Sequence, residues 1–397
     1  MVDAFFYCMP SPQRKAVGHA PSSAVLPPHQ LILRLSQFLL QLNRITGTNA
    51  LGRTGIAAWC CSTFAHHLRP DDPQRRDWME KAERYYDRGV IILTENYASY
   101  SLNILLSSVI DLRLAKLDSH GAAAANHLLD LGDFFVSGSR LKRQIDMRLL
   151  GGIDSVALRL FIYVDVFRAV VTPGRPLSFE LVNLVPTSIP SPSDGVTSEH
   201  LSVHYSLSVD LLICISTVIT MINERGGKTK EELEEVAAEM DANIRACKIR
   251  LPEAAQSSSM LSYIASQEMW RQAALIFLYT SYLHYTPLSR VLRTALNEIL
   301  LLSAAHDTSS TTTSSSNTAS TYSKAALAGP WFLVATIAVT EEEREVCLQG
   351  IEGCGAGKLH RDNKAFVVRF WEEIEKEGKV PDWREFAKRE GMSVAFM

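Results

Sequence analysis

Residues 78–93 read WMEKAERYYDRGVIIL. Trp78, Ala82, Tyr85, Tyr86, Gly89, Ile92 and Leu93 recur at steps of three and four, which aligns them along one face of an α-helix. The same period continues outward. Further helices are expected over 97–117, 121–136 and 153–171, the last stopped by Pro173-Gly174 and Pro176. Residues 172–200 hold five prolines and read as a long loop. An apolar helix is expected over 202–224, ended by Gly226-Gly227, then an acidic amphipathic one over 228–247 whose glutamates face solvent with an occasional ion pair. Helices over 260–285 and 287–304 follow. In the tail, Phe366, Val367, Phe370, Trp371 and Ile374 form a compact apolar stripe, and Asp382 with Glu385 resembles a capping box. No strand pattern and no fixed-period repeat stands out. The fold class is therefore all-α, a multi-helix, orthogonal or bundle-like domain with a Ser/Thr-rich disordered loop. Its parts are a flexible lead-in (1–28), a helical body (29–304), a Ser/Thr linker (305–324, AHDTSSTTTSSSNTASTYSK) and C-terminal helices packed on the same domain (325–397).

The composition suits a large buried core: 397 residues, 47% hydrophobic and 21% charged. A net charge of −3 lacks the basic excess with which nucleic-acid binders neutralise phosphate. The longest apolar stretch, 207–222, contains Asp210 and falls short of the ~20 residues that span a bilayer. The N-terminus carries no secretory signal pattern. Seven cysteines, an odd number, fit buried free thiols in a reducing compartment better than a disulfide framework.

A search for chemistry returns little. There is no C-x-x-C, so no such pair opens a zinc site; Cys60-Cys61 lie in an apolar helix and read as core, and a metal site at Cys347 and Cys354 with His360 is poorly supported. His200 and His204 are four apart, but Glu199 precedes them rather than standing between them as in H-E-x-x-H. His66-His67 read as a helix C-terminus, where imidazolium complements the dipole. The stretch GIEGCGAGKLH (350–360) fails as a phosphate loop: Glu352 stands where the first glycine belongs and Leu359 where Ser or Thr would hold magnesium, leaving a helix-ending turn. Asp71-Asp72 is followed by Gln74, Arg75 and Arg76 rather than a further carboxylate, which argues against a terpene-synthase metal site. The densest basic group, SRLKRQIDMR (139–148), is interrupted by Asp146 and reads as an exposed helix face. No catalytic, cofactor-binding or metal residue is nominated, and no cofactor is expected.

Two regions carry a resemblance. The first comprises LGRTGIAAWCCSTFAHHL (51–68), AERYYDRGVIILTEN (82–96), SLNILLSSVIDL (101–112), ANHLLDLGDFF (125–135) and ALRLFIYVDVFRAVV (157–171). The second comprises MWRQAALIFLYTSYLH (269–284), AGPWFLVATIAVTEEEREVCLQGI (328–351) and the segment from Asp362 to the end. Together they resemble the fungal-specific transcription factor domain found downstream of zinc binuclear clusters. That family runs from a helical aromatic segment through a variable linker to a Trp- or Pro-led apolar helix, an Arg-containing turn and a closing Trp…Trp-Arg segment. The matching positions here are Trp270 to His284, the Ser/Thr linker, Pro330-Trp331, Arg344, then Trp371 and Trp383-Arg384. The resemblance implies the regulatory (effector or middle-homology) region of a nuclear regulator of RNA polymerase II transcription. The zinc cluster of that family has no counterpart in this sequence, and the 28 residues before the helical body are too few for a cluster, linker and dimerisation helix; the expectation is either a fragment of a longer chain or a family member that acts without direct DNA contact. Expected partners are proteins of the transcription machinery or a DNA-binding partner, with homodimerisation and a small-molecule effector as further expectations, no direct nucleic-acid contact and no membrane. Trp270, Trp331, Trp371 and Trp383 are read as packing anchors. Two other readings stay open: a helical interaction scaffold outside the nucleus, and an all-α enzyme, which would show a carboxylate or His pair with strongly shifted pKa in a deep pocket.

Overall fold

The computed structural model describes residues 49–68, 71–139, 141, 143–150, 155–182, 206–249, 257–311, 324, 326–355 and 357–396, with side chains described throughout except at 67, 118, 257–260 and 305–311. The lead-in 1–28, the stretch 29–48, and His200 and His204 lie outside these residues.

Helix α1 (Ala50–His67) starts where Asn49 Oδ1 accepts the amides of Leu51 and Gly52, two of the donors that a first turn leaves unsatisfied. Helix α2 (Pro73–Glu95) contains the whole Trp78–Leu93 stretch. Asp72 caps it, its Oδ1 accepting the Gln74 amide at 2.9 Å, and Pro73 occupies the first turn, where its missing N–H costs nothing. The Asp71-Asp72 pair thus starts a helix. Ala82, Tyr86, Gly89 and Leu93 are buried, while Tyr85 is 41% exposed and Trp78 and Ile92 are half-buried. The buried stripe is narrower than the apolar one, and Tyr85 lies on its flank. Trp78 meets Phe64 of α1 edge-to-face at 4.7 Å.

Helices α3 (Leu102–His120) and α4 (Ala122–Ser137) are joined by Gly121 alone. Its φ of +83° lies in the region that L side chains avoid, and a Cβ there would collide with the Asp362 carboxylate. A 3₁₀ turn (Tyr97–Ser99) precedes α3, so the helix expected from residue 97 begins five residues later. Helix α5 (Val156–Val171) is buried along almost its whole length. Between α4 and α5 the basic stretch departs from expectation. Gln144–Ile145 pair in parallel with Glu180–Leu181 as a two-residue ladder (β1 and β2), and Met147–Leu149 form a 3₁₀ turn. The stretch is no helix face, because Asp146 is buried and forked onto Arg148 (Nη2 to Oδ2, 2.8 Å), which an exposed helix would not require.

Helices α6 (Val209–Asn223) and α7 (Lys230–Ala246) follow, then α8 (Ser257–Phe277), which runs on into a π-helical turn (Leu278–Tyr282). Helix α7 buries only Ala237, Met240 and Ile244, so its glutamates face solvent as expected. Helix α9 (Arg290–Thr311) runs past the end expected at residue 304 and into the Ser/Thr stretch. Each added residue continues an existing hydrogen-bond ladder, so a helix outlasts its apolar stripe. Residues 312–323 lie outside the described residues.

The chain closes with α10 (Ala328–Ala335), α11 (Glu341–Gly353), α12 (Lys358–Glu377) and α13 (Trp383–Arg389). Two full capping boxes escaped the sequence reading: Thr229 with Glu232 starts α7, and Thr340 with Glu343 starts α11. At α13 Asp382 accepts the Arg384 and Glu385 amides at 2.8 and 3.3 Å, the Asp half of such a box. Helix α3 packs against α1, α4, α5 and α12, and α8 against α9 and α10. The last helices therefore return to the first ones. The Asn363 amide fixes the C-terminal tail by donating to the Ala395 carbonyl (2.9 Å) and accepting its N–H (3.4 Å).

Candidate functional site

The four nominated tryptophans are 2–7% exposed. Trp270 of α8 stacks on Phe167 of α5 (centroids 5.3 Å, planes 12° apart), and its indole N–H donates to the Ala326 carbonyl at 3.1 Å. Gly329 of α10 lies under the same ring so closely that a Cβ would approach within 3.0 Å. Trp331 lies against Gly350 of α11 in the same way. The glycine-rich stretch therefore combines a packing contact at Gly350 with the expected helix-ending turn after Gly353. Trp371 of α12 donates to the Ala335 carbonyl at 2.9 Å and carries the Arg344 guanidinium over its face at 5.1 Å. Arg344, expected in a turn, sits in the first turns of α11 and pairs with Glu375 of α12.

Arg384 is the buried cation of the closing segment, 3% exposed. Its Nη2 donates to the carbonyls of Ala169 (2.9 Å) and Thr172 (3.1 Å) at the C-terminal end of α5, the negative end of that helix dipole. Its guanidinium also faces the Phe277 ring at 5.7 Å. The motif-bearing Arg thus bonds residues more than two hundred positions earlier in the chain. Two charge-assisted hydrogen bonds are each worth about 1.5–3 kcal/mol, against the desolvation penalty of the cation. Arg384→Met, which leaves both carbonyls without this donor, is expected to lose about 2–3 kcal/mol in denaturant unfolding. An unchanged midpoint would show that the bonds only offset the burial.

A second polar cluster fastens the loop after α5. Asp130 and Asp133 of α4 pair with Arg168; Asp133 also binds Arg175 and the Ser178 hydroxyl; and the Ser178 amide donates to Asp165 Oδ2 at 2.8 Å. Asp165 Oδ1 lacks a hydrogen bond and lies 3.7 Å from Arg175 Nη2. Burial pushes the Asp165 carboxyl up to about 6, with Asp133 adding to the rise and Ser178 and Arg175 opposing it. His360, at the start of α12, is pushed down to about 4 by burial. Burial likewise pushes the Asp111 carboxyl of α3 up to about 7, and these three strongly shifted groups sit on three different helices, α3, α5 and α12. Asp165 raises its hold on a proton upon folding, so it contributes stability at low pH that is lost between 3.8 and about 6. His360 acts oppositely, its contribution falling away as pH drops from 6.5 towards 4. Asp165→Asn, measured as the difference from wild type, therefore isolates the first effect. The variant is expected to gain on wild type by up to about 3 kcal/mol between pH 4 and 7. A flat difference would place the proton elsewhere in the network.

The core carries an apolar void of about 10 Å³ lined by Phe167, Ile215, Trp270, Phe277, Leu333 and Phe396 among others. Ligand pockets run to about 300–1,000 Å³, so this void is a packing gap, too small for a metabolite as it stands. None of Asp111, Asp165 and His360 lines it. Among the described residues no group of three or more His, Cys, Asp or Glu converges to hold a metal ion, and no helix is long and apolar enough to cross a membrane. Burial pushes up the thiols of Cys60, Cys61, Cys347 and Cys354, with Cys61 near 11 and Cys347 near 12. They behave as the core residues expected of them. Cys214 and Cys247 do not: both are half-buried, and their sulfurs touch. Nothing in their 33-residue separation signalled that contact.

Fold and anchors define an all-α domain whose distinguishing residues are packing and capping groups. The chain belongs to a particular family of such domains, the fungal specific transcription factor domain, whose profile matches residues 53–397. Comparison with curated proteins and with solved structures returns no match.

Proposed function

We propose that this chain is the regulatory region of a nuclear factor controlling RNA polymerase II transcription, acting through protein partners and carrying no zinc cluster within these residues. It is a regulator and no enzyme. The observation that carries the reading is the family match over residues 53–397, in which the motif-bearing Trp270, Trp331, Trp371 and Arg384 are all engaged in one core. Two features support action through partners. The net charge is −3, and Arg168, Arg175, Arg293, Arg344 and Arg384 are engaged inside the fold rather than presented as a phosphate-binding surface. The test fuses the full chain to a heterologous DNA-binding domain upstream of a polymerase II reporter, with fluorescent tagging of the unfused chain. A several-fold rise or fall in reporter output, together with nuclear accumulation, is expected. A folded fusion that leaves the reporter unchanged would defeat the proposal. Exclusion of the tagged chain from the nucleus would favour the scaffold reading instead.

A further inference from the structure

We propose that Cys214 and Cys247 form a redox modification site, a dithiol that closes to an intramolecular disulfide by exchange with a small-molecule disulfide such as oxidised glutathione. The two Sγ atoms lie 3.6 Å apart. Cys214 sits in the second turn of α6, and Cys247 is the C-cap residue of α7. These helices form a hairpin. Its closed end is the turn through Gly226 and Gly227, the latter at φ +84°. Its open end is where the two sulfurs meet. A bond there would staple the free end of α7, which buries only Ala237, Met240 and Ile244 and so depends little on core packing.

Access and reactivity favour this pair over the other described thiols. Cys214 and Cys247 are half-buried, whereas Cys60, Cys61, Cys347 and Cys354 are buried. Either sulfur can donate to the other, and Cys247 Sγ also reaches the Asn243 carbonyl at 3.4 Å; the contact with Cys214 lowers the Cys247 pKa, with Arg271 helping and burial opposing. The Arg271 Nη2 also bonds the Cys247 carbonyl at 2.5 Å, which holds the guanidinium beside the thiol. The same contact, together with burial, raises Cys214. The guanidinium held beside Cys247 makes it the attacking thiolate, and Cys214, which has no such cation among the described residues, the resolving thiol.

The chemistry balances without further reagents. The Cys247 thiolate attacks one sulfur of the small disulfide; its S–S bond breaks and one small thiolate leaves. The mixed disulfide on Cys247 is then attacked by Cys214, which loses its proton as the second small thiol departs. The protein gives up two electrons and two protons, and one small disulfide becomes two small thiols. In a reducing compartment such a bond is transient, which suits a sensor rather than a structural link.

The full reduced chain is equilibrated in glutathione buffers of increasing oxidised fraction, quenched by alkylation and mapped by mass spectrometry. A Cys214–Cys247 cross-linked peptide is expected to form before any other cysteine pair. Cys214→Ser is expected to accumulate glutathione on Cys247, because the resolving thiol is gone. Limited trypsin cleavage at Arg245 and Lys248 is expected to slow by about tenfold or more on oxidation of wild type but not of Cys214→Ser. Glutathione adducts on wild type without the cross-link, or a different pair oxidising first, would overturn the proposal. A cross-link that forms while trypsin cleavage stays unchanged would overturn the stapling of α7. The wild-type arm needs no substitution, so misfolding of a variant leaves the test intact.

Discussion

Trp270→Ala lowers the unfolding free energy by about 3–5 kcal/mol, the range for emptying a buried aromatic site. Four contacts converge on that ring: the stacked Phe167, the Ala326 carbonyl, the backbone at Gly329 and the walls of the apolar void. The surrounding helices α5, α6, α8 and α10 are pinned elsewhere, so the site collapses poorly and the new space adds to the void of about 10 Å³. An enlarged dry cavity of this kind accepts small aromatic molecules. Added indole is therefore expected to raise the thermal midpoint of Trp270→Ala and leave wild type unmoved. A loss below about 1 kcal/mol, with no indole response, would mean that the helices close over the gap and that Trp270 is no keystone of packing.

Gly350→Ala is expected to cost about 1–3 kcal/mol or more, although alanine is ordinarily the better helix residue. The added Cβ would enter the space of the Trp331 ring, itself buried between α10 and α11. Intrinsic propensity favours the substitution by at most about 1 kcal/mol, so overpacking decides the sign. The check is a double-mutant cycle with Trp331→Leu, whose smaller side chain vacates the colliding volume. The pair should cost clearly less than the sum of the two single changes. Strict additivity would mean that the close approach is not what selects glycine here. Gly329→Ala, which meets the Trp270 ring, follows the same argument.

Much of the architecture was legible because helices report themselves locally. The stripe from Ala82 to Leu93 and the Phe366–Trp371 cluster both became buried helix faces. Proline and glycine punctuation placed the ends of α5 and α6 within a few residues. Two of the misreadings share one cause, the absence of local signal for long-range pairing. A two-residue ladder between Gln144–Ile145 and Glu180–Leu181 is too short for any alternation to show. Asp146 read as an interruption of a basic run because nothing in sequence says that it is buried against Arg148. Arg344 was placed in a turn, yet the Thr340–Glu343 capping box beside it, available in sequence, starts a helix that includes it.

The nominated tryptophans were recognisable as anchors from composition and resemblance, but their partners were not. Arg384 reaching Ala169 and Thr172 and Cys214 touching Cys247 both join residues far apart in the chain. The amino-acid sequence by itself determined the helical class, most helix positions and the aromatic residues that would be buried, because period, capping and burial preference act within a few turns. Tertiary structure alone decided which helix faces meet, which arginine caps which helix, and which two thiols come into contact. Those outcomes depend on closing loops of tens to hundreds of residues, a choice among packings that the local hydrogen-bond ladder does not record.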